Sequence, residues 1–485
     1  MSYPEISRRR FLRQSAAAAA TTGLLAGAGC APEASHRQGP TPPKRIFLLT
    51  LDTLRADHMG CYGYPRLTTP FLDAVASEGV LFRDAITSCS HTNPAHVSLF
   101  SGLHLPQHKL LNNGPITFSE RIYLLTDMLR EAGYDTAAFC SARWLRVLDR
   151  GFNRFTTLEE RAPGELAYRR ASETVADAMA WLDTQPADAR FFLWMHLFDP
   201  HVPYFPSREA RREIATCWPQ EREPMTAHWL VVQKKQPATV EWHNDLYAFT
   251  TTQNSYDAEV RFVDTECRRL YAHAQERGLA EDAWWIFTAD HGEGLGGHYR
   301  LGHSETVYRE AVHVPWLLYA PDDDAIVQPR KVDGPVQHVD LFPTLAELLG
   351  VPVERQVLPV AGDSLLPLLT EPDAAPPQRF CFSQRMRRFL QGYSTLWERG
   401  PVFCIYNGSF KYVVHADPKA CDEFFHVAHD PLEQDNLIEE ASPAKNLMRK
   451  KAWEIYDAMI AQAQGIEDTR DTGAHDEALD ALGYL

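Results

Sequence analysis

The apolar residues of this chain gather in short continuous runs rather than in strict alternation. The first is Arg45–Leu51, and residues 136–140, Phe191–Leu197, 284–288 and 314–319 repeat its character. A strand that is apolar on both faces is one covered on both faces, so these runs predict strands of a buried, mostly parallel sheet. Between them, Pro70–Glu78, 124–132 and Ala171–Leu182 carry helix-like patterns. Strands that alternate with helices predict an α/β fold: a large mostly parallel sheet sandwiched by helices.

Polar residues cluster where the predicted strands end. Asp52 follows the first run, Asp199 and His201 follow the third, and Asp290-His291 follow the fourth. Open α/β sheets bind ligands at the carboxyl ends of their strands. One acidic residue there can be a helix cap, but three such ends bearing Asp or His suggest a shared metal site.

Composition narrows the function classes. The 48 Lys+Arg against 64 Asp+Glu give a formal charge of −16, which argues against nonspecific binding of nucleic acid, because the mean field repels phosphate polymers. An anionic substrate must therefore be held by local positive charge or by a metal. The nine Cys form no CxxC pair, which disfavours a zinc-ribbon or thioredoxin-like site, and scattered cysteines predict no particular bridge.

The N-terminus reads as an address. Ser7-Arg8-Arg9-Arg10-Phe11-Leu12-Arg13 matches a twin-arginine export signal and precedes an Ala-rich apolar run over 16–28, too short to span a bilayer as a mature helix. Gly27-Ala28-Gly29-Cys30 approximates a lipoprotein cleavage box, with Gly27 where Leu is usual. The expectation is a protein exported by the twin-arginine machinery to the bacterial periplasm or cell envelope. Its membrane contact would be limited to a lipid anchor on Cys30.

Six segments in order, LLTLDTLRADHMGCYGY, TNPAHVSLFSG, FLWMHLFDPHVPY, FTADHGEGLGGH, HVDLFPTLAELLG and EFFHVAHDPLEQDNL, resemble the sulfatase family of the alkaline-phosphatase superfamily over residues 45–437. Residues 1–30 read as a signal and the Pro-rich stretch 31–43 as a linker, and the resemblance implies a catalytic domain (44–377) followed by a smaller C-terminal α+β subdomain (378–485). In that subdomain it implies a small antiparallel sheet around 402–414 and a helix over 443–464 packing on the main sheet.

The family's nucleophile is a Cys or Ser followed by x-Pro-x-Arg and oxidised to formylglycine. Here Thr92 stands at that position, ten residues before Gly102, with Pro94 two residues on and His96 in place of the Arg. Oxidation of threonine yields a ketone, so the formylglycine route is closed at Thr92, whereas a threonine hydroxyl activated by a metal can attack directly. The resemblance implies a metal held by Asp52, Thr92, Asp290 and His291. It implies catalytic roles for Thr92, His201 and His303, with His96 as a substitute donor and His298 more weakly.

Thr53 replaces the second Asp common beside Asp52, and a set of three oxygens and one nitrogen suits one divalent ion, Mn, Zn, Mg or Ca. The family's Lys-x-His pair is missing from AFCSARWLRVLDRGF, where Arg143 offers one charge. The expected activity is hydrolysis of small-molecule, glycan or lipid-linked phosphate or phosphonate esters through a covalent Thr92 intermediate. The alternatives are sulfate-ester hydrolysis, transfer of phosphoethanolamine or phosphoglycerol groups, and a non-enzymatic binding protein. Two further stretches stand out: an Arg- and Trp-bearing insertion over 205–249 that reads as a lid or a solvated excursion, and the basic cluster at 385–388.

Overall fold

The computed structural model describes residues 40–113, 116–158, 168–216, 246–299, 301–303, 306–385, 401–417, 420–466 and 470–471. The twin-arginine segment, Cys30, most of the linker, Trp218, Trp229, Trp242 and residues 386–388 lie outside them.

Eight strands form the large sheet: β1 (Arg45–Leu51), β2 (Val80–Ile86), β3 (Asp135–Cys140), β4 (Arg154–Thr156), β5 (Phe191–Leu197), β6 (Ala283–Thr288), β7 (His313–Tyr319) and β8 (Arg330–Gln337). Their spatial order is β8-β2-β7-β6-β1-β5-β3-β4. The central pairs β1–β5, β1–β6 and β3–β5 are parallel. Strand β7 runs antiparallel to both neighbours, so the sheet is mixed there, although the apolar run at 314–319 had the look of another parallel strand. A central strand is covered on both faces in either direction, and the run is therefore blind to its own orientation.

Helices cover both faces. They are α1 (Pro70–Glu78), α2 (Thr92–Ser101), α3 (Leu125–Glu131), α4 (Ala171–Leu182), α5 (Leu246–Glu276) and α6 (Leu341–Leu349). Helix α5 packs with α1 and α4, while α2 packs with α3 and α6. Side-chain alternation along the strands assigns the faces. Phe47 stacks on Trp285, which meets Tyr271 of α5. Trp194, on the other face, meets Phe100 and His96 of α2.

The small sheet comprises β9 (Cys381–Gln384), β10 (Val402–Tyr406), β11 (Lys411–His415) and β12 (Glu423–Phe425), all antiparallel. One face, with Cys381, Cys404, Tyr406, Val413 and Phe425, packs on Ile86, Val307, Ala311 and Val312 of the main body. The other face, with Phe382, Phe403, Ile405, Tyr412, Val414 and Phe424, is covered by Met448, Ala452 and Met459 of α7 (Pro443–Gln462). This corrects the expectation that the last helix packs on the main sheet. Two apolar faces alternate along these strands, and the second needs the helix for cover.

No helix among the described residues is long and apolar enough to cross a membrane. The described cysteines are all unpaired.

Candidate active site and metal centre

The site begins as a polar row in an apolar sheet. Thr50 is in register with His196 on one side and Thr288 on the other, one position before β1 and β5 end and where β6 itself ends. Asp52 follows β1, Asp290-His291 follow β6, and Thr92 is the first residue of α2. All are buried.

Thr92 Oγ1 lies 3.4 Å from His291 Nε2. That nitrogen is 3.4 Å from Asp290 Oδ2 and 3.8 Å from Asp52 Oδ1. Asp290 Oδ1 accepts the backbone N–H of His291 at 2.8 Å and of Thr53 at 3.2 Å, so Oδ2 is the oxygen turned inward. Thr53 adopts a left-handed φ of 56°, costly for a β-branched residue, and Tyr256 Oη holds the bend by donating to the Thr53 carbonyl at 2.8 Å. Asp52 Oδ1 and Oδ2 and Asp290 Oδ2 are buried without hydrogen-bond partners.

Thr92 Oγ1, Asp290 Oδ2 and Asp52 Oδ1 each lie 3.4–3.8 Å from His291 Nε2, a spacing suited to ligands that share one ion with bonds of roughly 2.0–2.3 Å. Orphaned buried carboxylate oxygens are costly unless something meets them, and this set fits a divalent cation. Asp52, Asp290 and His291 form one potential ligand group, and His96, His196 and Asp290 form another.

The charges reflect this crowding. Burial and neighbouring Asp290 push the Asp52 carboxyl well up. Burial works the same way on Asp290, but His291, His96 and His196 outweigh it and hold that carboxyl below the usual range. Burial lowers His291, yet Asp290 and Asp52 raise it on balance.

A second group of side chains forms one wall beside His291. The His303 ring is 4.2 Å from the His291 ring and 4.8 Å from the His201 ring, and His201 stacks on Phe198. His303 Nδ1 lies 3.2 Å from Glu293 Oε1, and His201 Nδ1 meets the Val202 carbonyl. Burial depresses both imidazoles, His201 to about 3, and pushes the Glu293 carboxyl up to about 6. Val202 and Phe205 are exposed beside this wall in sequence.

His96 does not project beside the nucleophile as a donor. Its Nδ1 bonds the Thr92 carbonyl at 2.8 Å and its Nε2 meets Thr50 Oγ1 at 3.0 Å, so both ring nitrogens are spent within the protein. An arginine's reach exceeds an imidazole's, and the shorter ring at the fifth position of α2 stays against the sheet. His298 also has another setting: it stacks on Tyr308 at 3.7 Å and bonds the Glu433 carbonyl at 2.9 Å. Arg143 opens a 3-10 segment after β3. Asp199 accepts from the Ala171 N–H at 2.7 Å and pairs with Arg170, capping α4 rather than joining the site.

His196 and Glu293 were not singled out from the sequence. His196 had a signal, as a lone polar residue in the otherwise apolar run FFLWMHL.

A family model described as Sulfatase matches residues 44–351. The uncharacterised sulfatase YidJ of Escherichia coli K12 is 24% identical over 473 residues, covering 88% of each chain. Human arylsulfatase A is 24% identical, over 76% of this chain and 74% of its own. Among solved structures, the phosphonate monoester hydrolase of Agrobacterium radiobacter superposes with a TM-score of 0.67 at 21% identity, covering 87% of this chain and 96% of that one.

Proposed function

The chain belongs to the sulfatase family and is an ester-cleaving hydrolase, and from that premise we propose that it hydrolyses phosphate or phosphonate esters with Thr92 as the direct nucleophile. The observation that carries this reading is the placement of Thr92 Oγ1 among the metal-ligand candidates, 3.4 Å from His291 Nε2, by a side chain that cannot become an aldehyde.

Asp52, Asp290, His291 and Thr92 Oγ1 would hold one divalent cation, whether Mn, Zn, Mg or Ca. Bound there, such an ion supplies positive charge that lowers the pKa of the Thr92 hydroxyl and offsets charge on the ester oxygens. Thr92 Oγ1 attacks phosphorus in line, the bond to the leaving oxygen breaks, and a phosphoryl-threonine ester remains on the chain. Nε2 of His303 takes the proton that the Thr92 hydroxyl loses on attack, and the imidazolium so formed passes it to the leaving oxygen, with the His201 ring 4.8 Å away completing that wall of the site. The Glu293 carboxylate supports this by taking Nδ1–H of His303, which fixes the tautomer that accepts at Nε2 and steadies the imidazolium formed there. Water then attacks phosphorus and frees Thr92. His96, bonded to the Thr92 carbonyl, is a positioning residue that seats the first turn of α2.

Sulfate-ester hydrolysis is the second reading, favoured by family membership itself. A sulfated threonine cannot collapse as a formylglycine hemiacetal does, so its release requires water attack on sulfur.

The twin-arginine pattern at residues 7–13 supports export to the bacterial periplasm or envelope, with Cys30 as an acyl anchor. Small-molecule, glycan-linked or lipid-linked anionic esters are the substrates this setting would supply.

The test is turnover of matched nitrophenyl phosphate, phosphodiester, phosphonate and sulfate by wild type and Thr92→Ala with each metal. Phosphorus-ester turnover lost in the variant supports the reading. Sulfate turnover that survives the substitution contradicts it.

A further inference from the structure

The loop that follows β1 sets a strained residue against the ligand candidates, and one side chain of α5 closes it. Thr53 holds its left-handed φ of 56° directly after Asp52. Strain of this kind persists only where the surroundings over-determine the backbone. The bend has a use at the site: Thr53 N–H donates to Asp290 Oδ1 at 3.2 Å, which leaves Asp290 Oδ2 turned inward. The strained residue thus ties the carboxylate after β6 to the carboxylate after β1.

Tyr256 supplies the restraint. Its buried hydroxyl donates to the Thr53 carbonyl at 2.8 Å and accepts the Arg55 N–H at 2.9 Å, so one oxygen meets a backbone group on either side of Leu54. The ring is set edge-on against His58 at 5.1 Å and Tyr204 at 5.8 Å, so packing as well as hydrogen bonding places that oxygen. Arg55 carries the same restraint onward, because its Nη1 donates to the Glu293 carbonyl at 3.0 Å. The next residue of α5 grips a later part of the loop. Asp257 Oδ1 meets His58 Nδ1 at 2.7 Å, and Oδ2 accepts from Tyr64 Oη at 2.7 Å and Arg66 Nη1 at 2.6 Å.

We infer that Tyr256 is a positioning residue for the metal centre: its hydroxyl holds Thr53 in the left-handed bend, and the bend presents Thr53 N–H to Asp290 so that Asp290 Oδ2 and the Asp52 carboxylate converge on one cation. This rests on the metal reading above. Without the hydroxyl, the Thr53 carbonyl and Arg55 N–H lose a buried partner, the bend relaxes, and Asp290 is free to rotate. Groups that orient ligating side chains from behind are worth about 10–100-fold in metal affinity. Glycine enters the left-handed region without steric cost, so Thr53→Gly removes the need for the restraint.

The experiment is calorimetric titration of Mn²⁺ into metal-stripped protein, comparing wild type, Tyr256→Phe, Tyr256→Phe/Thr53→Gly and Asp257→Asn, with circular dichroism confirming each fold. The inference predicts that Tyr256→Phe raises the Kd for Mn²⁺ about 10–100-fold and that adding Thr53→Gly recovers most of the loss. Asp257→Asn, which loosens the same loop beyond the bend, should lower Tm and leave that Kd unchanged. An unchanged Kd in folded Tyr256→Phe overturns the inference, whatever happens to Tm. An equal loss of affinity in Asp257→Asn also overturns it, since general loosening of the loop would then suffice. The double variant keeps the test decisive if Tyr256→Phe alone does not fold: affinity near that of wild type supports the link, and weak binding by a native fold contradicts it. No Mn²⁺ bound by wild type contradicts the metal reading itself, and this inference with it.

Discussion

Two parts of this molecule bury charge, and they do it in opposite ways. Where β11 meets the main body, Lys411 Nζ bonds Glu433 Oε1 at 2.6 Å and the Val307 carbonyl, while Glu433 Oε2 accepts the Arg309 N–H at 2.7 Å. At the ends of β1, β5 and β6, Asp52, Asp290 and His196 are equally buried, but their inward atoms bond nothing. The first arrangement is complete without any other molecule. The second has bare oxygens turned toward one another, and that difference separates a buried ion pair that joins two layers from a centre suited to a divalent cation.

The contrast breaks most visibly at the centre. Asp290→Ala should lose bound metal and lower ester turnover by about 10⁴-fold or more, the scale seen when a catalytic constellation is dismantled. Unchanged metal stoichiometry by elemental analysis would remove Asp290 from the ligand set. Lys411→Met should act in the other sense. It leaves Glu433 buried without its partner, at about 3–5 kcal/mol of stability by chemical denaturation, while metal per folded chain is unchanged. Chelation sharpens the same comparison: ions bound only to the folded state stabilise it by about 2.7 kcal/mol at a hundredfold excess over Kd, so EDTA should lower Tm in wild type and leave Asp290→Ala unmoved.

A smaller effect concerns Asp264 of α5, which accepts the N–H groups of Phe71 at 3.1 Å and Leu72 at 2.9 Å and so caps α1. Burial outweighs those bonds and lifts its carboxyl to about 7. An unfolded aspartate ionises near about 3.9, so between there and neutrality the folded chain binds more protons, and stability from this group falls as pH rises. Asp264→Asn should flatten that slope in denaturation measured from pH 4 to 7.

Much of this was legible beforehand because burial on two faces writes itself as unbroken apolar runs. Strands β1, β3, β5, β6 and β7 all read that way, and Asp52 and Asp290-His291 stood at their ends. Strand β8, RKVDGPVQ, did not, since an edge strand needs no second apolar face and tolerates Pro335. Strand β2 was hidden by Arg83 and Asp84, the latter bound by Arg309 at 3.2 Å. Within the site, the motif resemblance supplied Thr92, His201 and His303, but the depth of His96 and the aim of His196 depend on register between β1 and β5, which no single run reveals.

The central claim is that Thr92 itself becomes covalently attached to the substrate's phosphorus. Wild-type protein mixed with nitrophenyl phosphate and nitrophenyl phosphonate, quenched in acid within a turnover and mapped by mass spectrometry, tests it most directly. The account predicts a phosphoryl or phosphonyl adduct on Thr92, absent from Thr92→Ala. Turnover of either ester with the label on another residue, or with Thr92 unmodified at every quench time while Thr92→Ala remains active, would contradict it.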